Sequence, residues 1–149
     1  MNHADYLESG IIGSGQYVNL LVAFSNIFGI FMILCDPKWV GVCTVTCSVL
    51  MHLSERKHGL PGISPFNNLS AEFLWMDRIM AYISTTFALY NMYNKWIMVP
   101  RWLIYYGVFG LILMIIAEMM ITDQWNLFIV FHTGWHFIAY SYYYLILTL

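Results

Sequence analysis

Charge is scarce in this sequence. Of its 149 residues, 9% are Asp, Glu, Lys or Arg, where an ordinary soluble domain carries about 25%. With 60% hydrophobic residues, so short a chain has too little interior to hide its Phe, Tyr, Trp, Met and Ile side chains from water. That argues against a water-soluble globule and makes lipid the solvent that fits. A net charge of −2 supplies no basic surface, so nucleic acid is not expected as a partner. Three cysteines do not build a disulfide framework. Two of them, Cys43 and Cys47, stand one helical turn apart and read as small, buried packing residues. The N-terminus lacks a basic stretch leading to a small-residue cleavage site, so no removable signal peptide is expected and the first apolar run should serve as the anchor. Neither an internal repeat nor a low-complexity tract divides residues 1–149, which read as one transmembrane domain.

What the chain has instead is long apolar runs. Crossing the hydrocarbon of a bilayer takes about 20 mostly apolar residues as a helix. Five segments approach that length, at about 17–35, 39–55, 71–93, 102–121 and 125–147. Transmembrane strands would alternate apolar and polar residues, and these runs are continuous. The expected fold is therefore all-α, a polytopic bundle of about five spans in a multi-pass integral membrane protein. The interruptions have the composition of turns: Asp36-Pro37-Lys38, the stretch from Glu55 to about Ser70, Asn94-Lys95 with Pro100-Arg101, and Thr122-Asp123-Gln124. Trp39, Trp75, Trp96, Trp102 and Trp125 lie near the proposed ends, where an interfacial aromatic belt would hold them. Arg56, Lys57 and Arg78 fall toward one membrane face, and Lys38, Lys95 and Arg101 toward the other. The positive-inside rule therefore gives a tie and sets no orientation.

Ionisable residues inside a span are costly and mark function by default. His52, Asp77, His132 and His136 stand out, and Ser48 joins them one turn before His52. His132 precedes His136 by the same interval, and residues at i and i+4 share a helix face. Five-span topology brings these residues together. Span two ends at one face carrying Ser48 and His52, span three starts there with Asp77, and span five starts there with His132 and His136. At 1.5 Å per residue, all lie within roughly 15–20 Å of that face. Glu118, near the end of span four, falls at the same level and reads as an interfacial carboxylate. Three neutral imidazoles with an open fourth position are the donor set of a catalytic zinc. Such a zinc makes hydroxide available near neutral pH, and a neighbouring carboxylate can orient the water and move its proton. Asp77 and Ser48 could do this work or steady the ligands instead.

Ser48-Val49-Leu50-Met51-His52, then Asp77, then His132-Thr133-Gly134-Trp135-His136 resembles the pattern of the CREST superfamily of membrane proteins. That group includes alkaline ceramidases, adiponectin and progestin receptors, Per-like and Sid-like proteins and myomaker-like proteins. Met51-His52-Leu53-Ser54-Glu55 and Leu74-Trp75-Met76-Asp77-Arg78 are similar to the group's settings around the same residues. The resemblance covers order and topology from about residue 45 onward. It implies that His52, His132 and His136 bind zinc, with Asp77 and Ser48 in the polar shell around its water. It further implies hydrolysis of amide or ester bonds in membrane lipids, ceramide being the best-known substrate. The superfamily core has seven helices and this chain offers five, one span instead of three separating the Asp helix from the last. Removing two spans preserves parity but takes away walls of the lipid cavity, which a homo-oligomer could replace.

Two other readings stay open. One is a receptor-like or lipid-binding protein that keeps zinc for architecture. The other is a structural or fusion-related membrane protein without metal. A proton or ion channel would also use buried His, Asp and Glu. Retinal attachment would need a lysine inside a span, and Lys38, Lys57 and Lys95 all lie outside. The His-Glu-x-x-His motif of zincin proteases is broken by Thr133.

Overall fold

Polar side chains shape the first helix more than its apolar ones do. In the computed structural model, which describes residues 15–119 and 124–149, α1 (Gln16–Phe24) gives way to a 3₁₀ turn (Ser25–Gly29) before α2 (Ile30–Ile33) completes the rod. Ser25 Oγ donates to the Val22 carbonyl at 2.6 Å, and Asn26 Nδ2 donates to the Ala23 carbonyl at 3.2 Å. Such side chains compete for the carbonyls of the preceding turn and tighten the helix locally. The remaining rods are α3 (Lys38–Ser54), α4 (Ser70–Asn94), α5 (Arg101–Met119) and α6 (Trp125–Thr148). Counting α1, the 3₁₀ turn and α2 as one, five rods result, and no strand occurs among the described residues. The all-α expectation holds at that level. Most of the turn proposed at residues 122–124 lies outside the described residues.

Two rods are long and apolar enough to cross a membrane by themselves: Gln16–Ile33, 18 residues with mean hydropathy 1.6, and Arg101–Met119, 19 residues with mean hydropathy 1.9. This is fewer than the five spans expected. At 17 residues α3 is short, while α4 and α6, at 25 and 24 residues, are long enough. These three are the helices that carry Ser48 and His52, Asp77, and His132 and His136.

Helix α6 is the centre of the bundle, packed against α1, the 3₁₀ turn, α2, α4 and α5, while α3 packs on α1, α2 and α4. Close approach depends on glycine at two crossings, as small residues allow in helix packing. A Cβ at Gly41 would meet the Met32 carbonyl carbon and oxygen at 2.6 Å, pinning α3 against α2. A Cβ at Gly110 would lie 2.6 Å from Ile138 Cγ2, between α5 and α6. Two apolar clusters flank the polar centre. Met32, Cys35, Val40, Ala88, Tyr140 and Tyr143 form one, and Val18, Val22, Leu60, Ala117 and Phe128 the other. Cys47 is buried as expected, whereas Cys43 faces outward. Consecutive helices α4 and α5 each lean on α6 without packing along one another.

Polar side chains share the interior with these apolar clusters, and many large apolar side chains lie outside. Asn19, Ser25, Asn26, Ser48, His52, His132 and His136 are all buried. Phe24, Leu34, Trp75, Tyr82, Tyr90, Tyr105 and Val130 are exposed, and Ile97 reaches 98% exposure.

Candidate metal centre

Helical register brings His132 and His136 onto one face of α6, and the crossing of α3 brings His52 against them. The three imidazoles are buried, and one ligand atom from each lies within 4.8 Å of the other two. Their ring centroids form a near-equilateral triangle with sides of 4.6, 4.7 and 5.1 Å. Nε2 of His52 and Nε2 of His132 stand 3.1 Å apart. Two nitrogens at ~2.0–2.1 Å from one tetrahedral ion would stand about 3.3 Å apart, so this spacing is already close to that of paired ligands.

The outer nitrogens are held by residues that determine which ring atom carries the proton. Glu55 Oε2 lies 2.9 Å from His52 Nδ1. An ionised carboxylate only accepts, so Nδ1 carries the proton and Nε2 keeps its lone pair facing the centre. Ser25 Oγ lies 2.6 Å from His136 Nδ1. The single Ser25 proton is already given to the Val22 carbonyl, so the serine oxygen accepts from Nδ1–H and His136 Nε2 is left bare. Two inward lone pairs in a buried pocket are what a cation neutralises, and the outward hydrogen bonds are those that orient metal-binding imidazoles. The three histidines thus fit a metal.

Asn19 secures the frame. From α1, its Nδ2 donates to the main-chain carbonyls of His52 at 2.8 Å and Glu55 at 2.9 Å, adding to the single backbone bond that the His52 carbonyl accepts from Glu55 N–H at the end of α3. Ser48 is buried one turn before His52 on α3. Asp77, half-buried on α4, has Ser48, Glu55 and Arg78 as its electrostatic neighbours. Tyr140 stacks on His136, with ring centroids 5.5 Å apart and planes at 29°, and its hydroxyl donates to Asn26 Oδ1. Glu118 stands at the rim, paired with Lys57.

The structure thus gathers His52, His132 and His136 at one point, with Ser48 one turn before His52 and Asp77 on the neighbouring α4. Sequence reading missed Glu55, Ser25, Asn19, Asn26 and Tyr140. Two of these had a local signal: Tyr140 continues the i, i+4 series of His132 and His136, and Glu55 follows His52 by three. Asn19, Ser25 and Asn26 sat in a run read as an anchor because it carries no charge. No protein-family model, characterised protein or solved structure matches the chain. The chemistry of the site must therefore be read from its own residues.

Proposed function

We propose that this chain is a multi-pass membrane protein that hydrolyses a lipid amide or ester bond at a zinc ion held by His52, His132 and His136, in the manner of the CREST superfamily its motifs resemble. The observation that carries the reading is the buried histidine triangle with Glu55 and Ser25 fixing two of its rings. An outer surface of Trp, Tyr, Phe, Leu and Ile around a polar interior supports the membrane setting. Trp39, Trp75, Trp96 and Trp102, all exposed near helix ends, have the positions of an interfacial belt.

Depth supports a lipid substrate. His132 and Asp77 each lie seven residues inside their helices, roughly 10 Å from the membrane face by helical rise. Acyl linkages lie where headgroup meets hydrocarbon, within reach of a site about two helical turns below that face. Zinc so held supplies Lewis acidity, polarising a carbonyl and making a water acidic enough to ionise near neutral pH. The imidazoles of His52 and His136, locked by Glu55 and Ser25, present their lone pairs without rearrangement. Asp77 accepts the proton of the attacking water and returns it to the leaving nitrogen or oxygen as the carbonyl–heteroatom bond breaks. Ser48, one turn before His52, would hold that carboxylate toward the centre. A panel of ceramides, phospholipids and acyl esters, offered to zinc-loaded protein in bilayers, tests this. Release of free fatty acid that is lost in Asp77→Asn supports it, and absence of turnover across the panel contradicts it.

The burial of His52, at 0% exposure, favours a second reading in which zinc is architectural. That reading gives bound zinc, no turnover, and loss of thermal stability when any of the three histidines is replaced.

A further inference from the structure

Beside the histidine triangle, a small cavity of about 80 Å³ opens at the end of the bundle where α3 and α5 finish. It is walled by Met51 and Glu55 of α3, Arg56 and Lys57 of the following loop, Ser70, Leu74 and Arg78 of α4, Glu118 of α5 and His132 of α6. His132 in its lining connects this cleft to the candidate metal centre. Its charges are unevenly committed. Glu55 is bound to His52, and Glu118 to Lys57 across the rim. Arg56 and Arg78 extend from the loop and from α4, and all three basic side chains are exposed.

We infer that this cleft admits a phospholipid with a net negative headgroup, whose phosphate is recognised by Arg56, Lys57 and Arg78 while its acyl linkage reaches the histidines. The inference rests on the hydrolase reading and narrows its substrate class. Guanidinium groups bind phosphate through paired N–H donors, and a lysine adds a point charge. The Lys57–Glu118 pair lies on the surface, where such pairs contribute little stability, so a phosphate can replace Glu118 on Lys57. A neutral sphingoid headgroup would offer no anion to Arg56 and Arg78 and nothing to replace Glu118 on Lys57. Met51 and Leu74 give the cavity an apolar side on which an acyl chain can lie while the headgroup stays with the basic residues.

The test is binding of phosphatidic acid, phosphatidylcholine and ceramide of matched chains to the purified full chain in neutral detergent, with bound zinc measured on the same samples. Phosphatidic acid should bind at least about tenfold more tightly than phosphatidylcholine or ceramide, since each basic side chain near an anionic headgroup contributes about 1 kcal/mol. Lys57→Gln/Arg78→Gln should abolish that preference with zinc unchanged, and Lys38→Gln/Arg101→Gln, at the other end of the bundle, should keep it. Should the first pair fail to fold, Arg56→Gln/Arg78→Gln serves in its place. Glu118→Gln, which removes the competing carboxylate, should tighten phosphatidic acid binding. Equal affinity for the three lipids, or equal losses from the two double variants, would overturn the inference. So would displacement of the lipid by glycerol phosphate at comparable concentration, which would make the ligand a soluble anion. Protein without zinc that still prefers phosphatidic acid would keep the headgroup site and sink the hydrolase reading alone.

Discussion

Glu55 Oε2 sits 2.9 Å from Nδ1 of His52, three residues earlier on the same chain and across the end of α3. This contact turns a histidine at a helix terminus into a ring of fixed orientation and tautomer. The helix ends there because Glu55 leaves helical geometry, with ψ at 127°, and Asn19 takes up the carbonyls of both residues. Glu55→Ala should therefore weaken zinc binding about 10–100-fold, the usual effect of removing such a partner. Competition with a calibrated chelator measures it, and unchanged affinity would remove Glu55 from the site.

Ser25 makes the corresponding contact to His136 from the opposite side of the bundle. Ser25→Ala leaves His136 Nδ1 buried without that partner, which should cost about 1–3 kcal/mol of stability. Zinc affinity should fall with it. Thermal unfolding of the zinc-loaded and chelator-treated protein separates the two effects, because a ring-orienting role predicts a smaller gain in stability from zinc than in wild type.

Asp77 and Ser48 are set apart from the histidines by what their loss should change. Asp77→Asn should retain about one zinc per chain while lipid hydrolysis falls about 10²–10⁴-fold, the range for a lost general base. Paired zinc analysis and turnover assays check this. Loss of zinc in Asp77→Asn would make Asp77 part of the metal's binding set instead.

Gly41 packs its α-carbon against the main chain of Met32, and main chain cannot move aside as a side-chain end can. Gly41→Val should destabilise the bundle by about 1–3 kcal/mol, the cost of overpacking. Melting in detergent measures it. Because the α2–α3 crossing lies away from the histidines, zinc content of the folded fraction should stay near one per chain.

Multi-pass topology has its own test. Lys57→Cys and Ile97→Cys, placed at opposite ends of α4 in a variant lacking Cys35, Cys43 and Cys47, should react with a membrane-impermeant thiol reagent from opposite sides of a sealed vesicle. Labelling of both from the same side would break the five-span arrangement.

Much of this architecture could be read directly from residue order. Runs at about 39–55, 71–93 and 125–147 became α3, α4 and α6 to within one or two residues, because Asp36-Pro37, Asn94-Lys95 and the polar stretch after Glu55 punctuate them clearly. The i, i+4 spacing of His132 and His136 placed both on one face, and topology parity placed His52 opposite. The broken first helix was not legible. Asn19, Ser25 and Asn26 are uncharged and sit among apolar neighbours, and their roles depend on partners as far away as His136 and Tyr140. Local pattern carries no information about a hydrogen bond spanning 111 residues. The same holds for Tyr140, whose bond to Asn26 exists only because α6 packs across the 3₁₀ turn.

The central claim is that His52, His132 and His136 together hold one zinc ion. Elemental analysis of the full chain, purified in detergent without chelator and with zinc supplied, tests it most directly beside His132→Ala/His136→Ala. About one zinc per chain in the wild type, absent from the double variant, is the predicted result. A folded wild type that carries no metal would contradict the claim, leaving the triangle a hydrogen-bonded feature of the bundle.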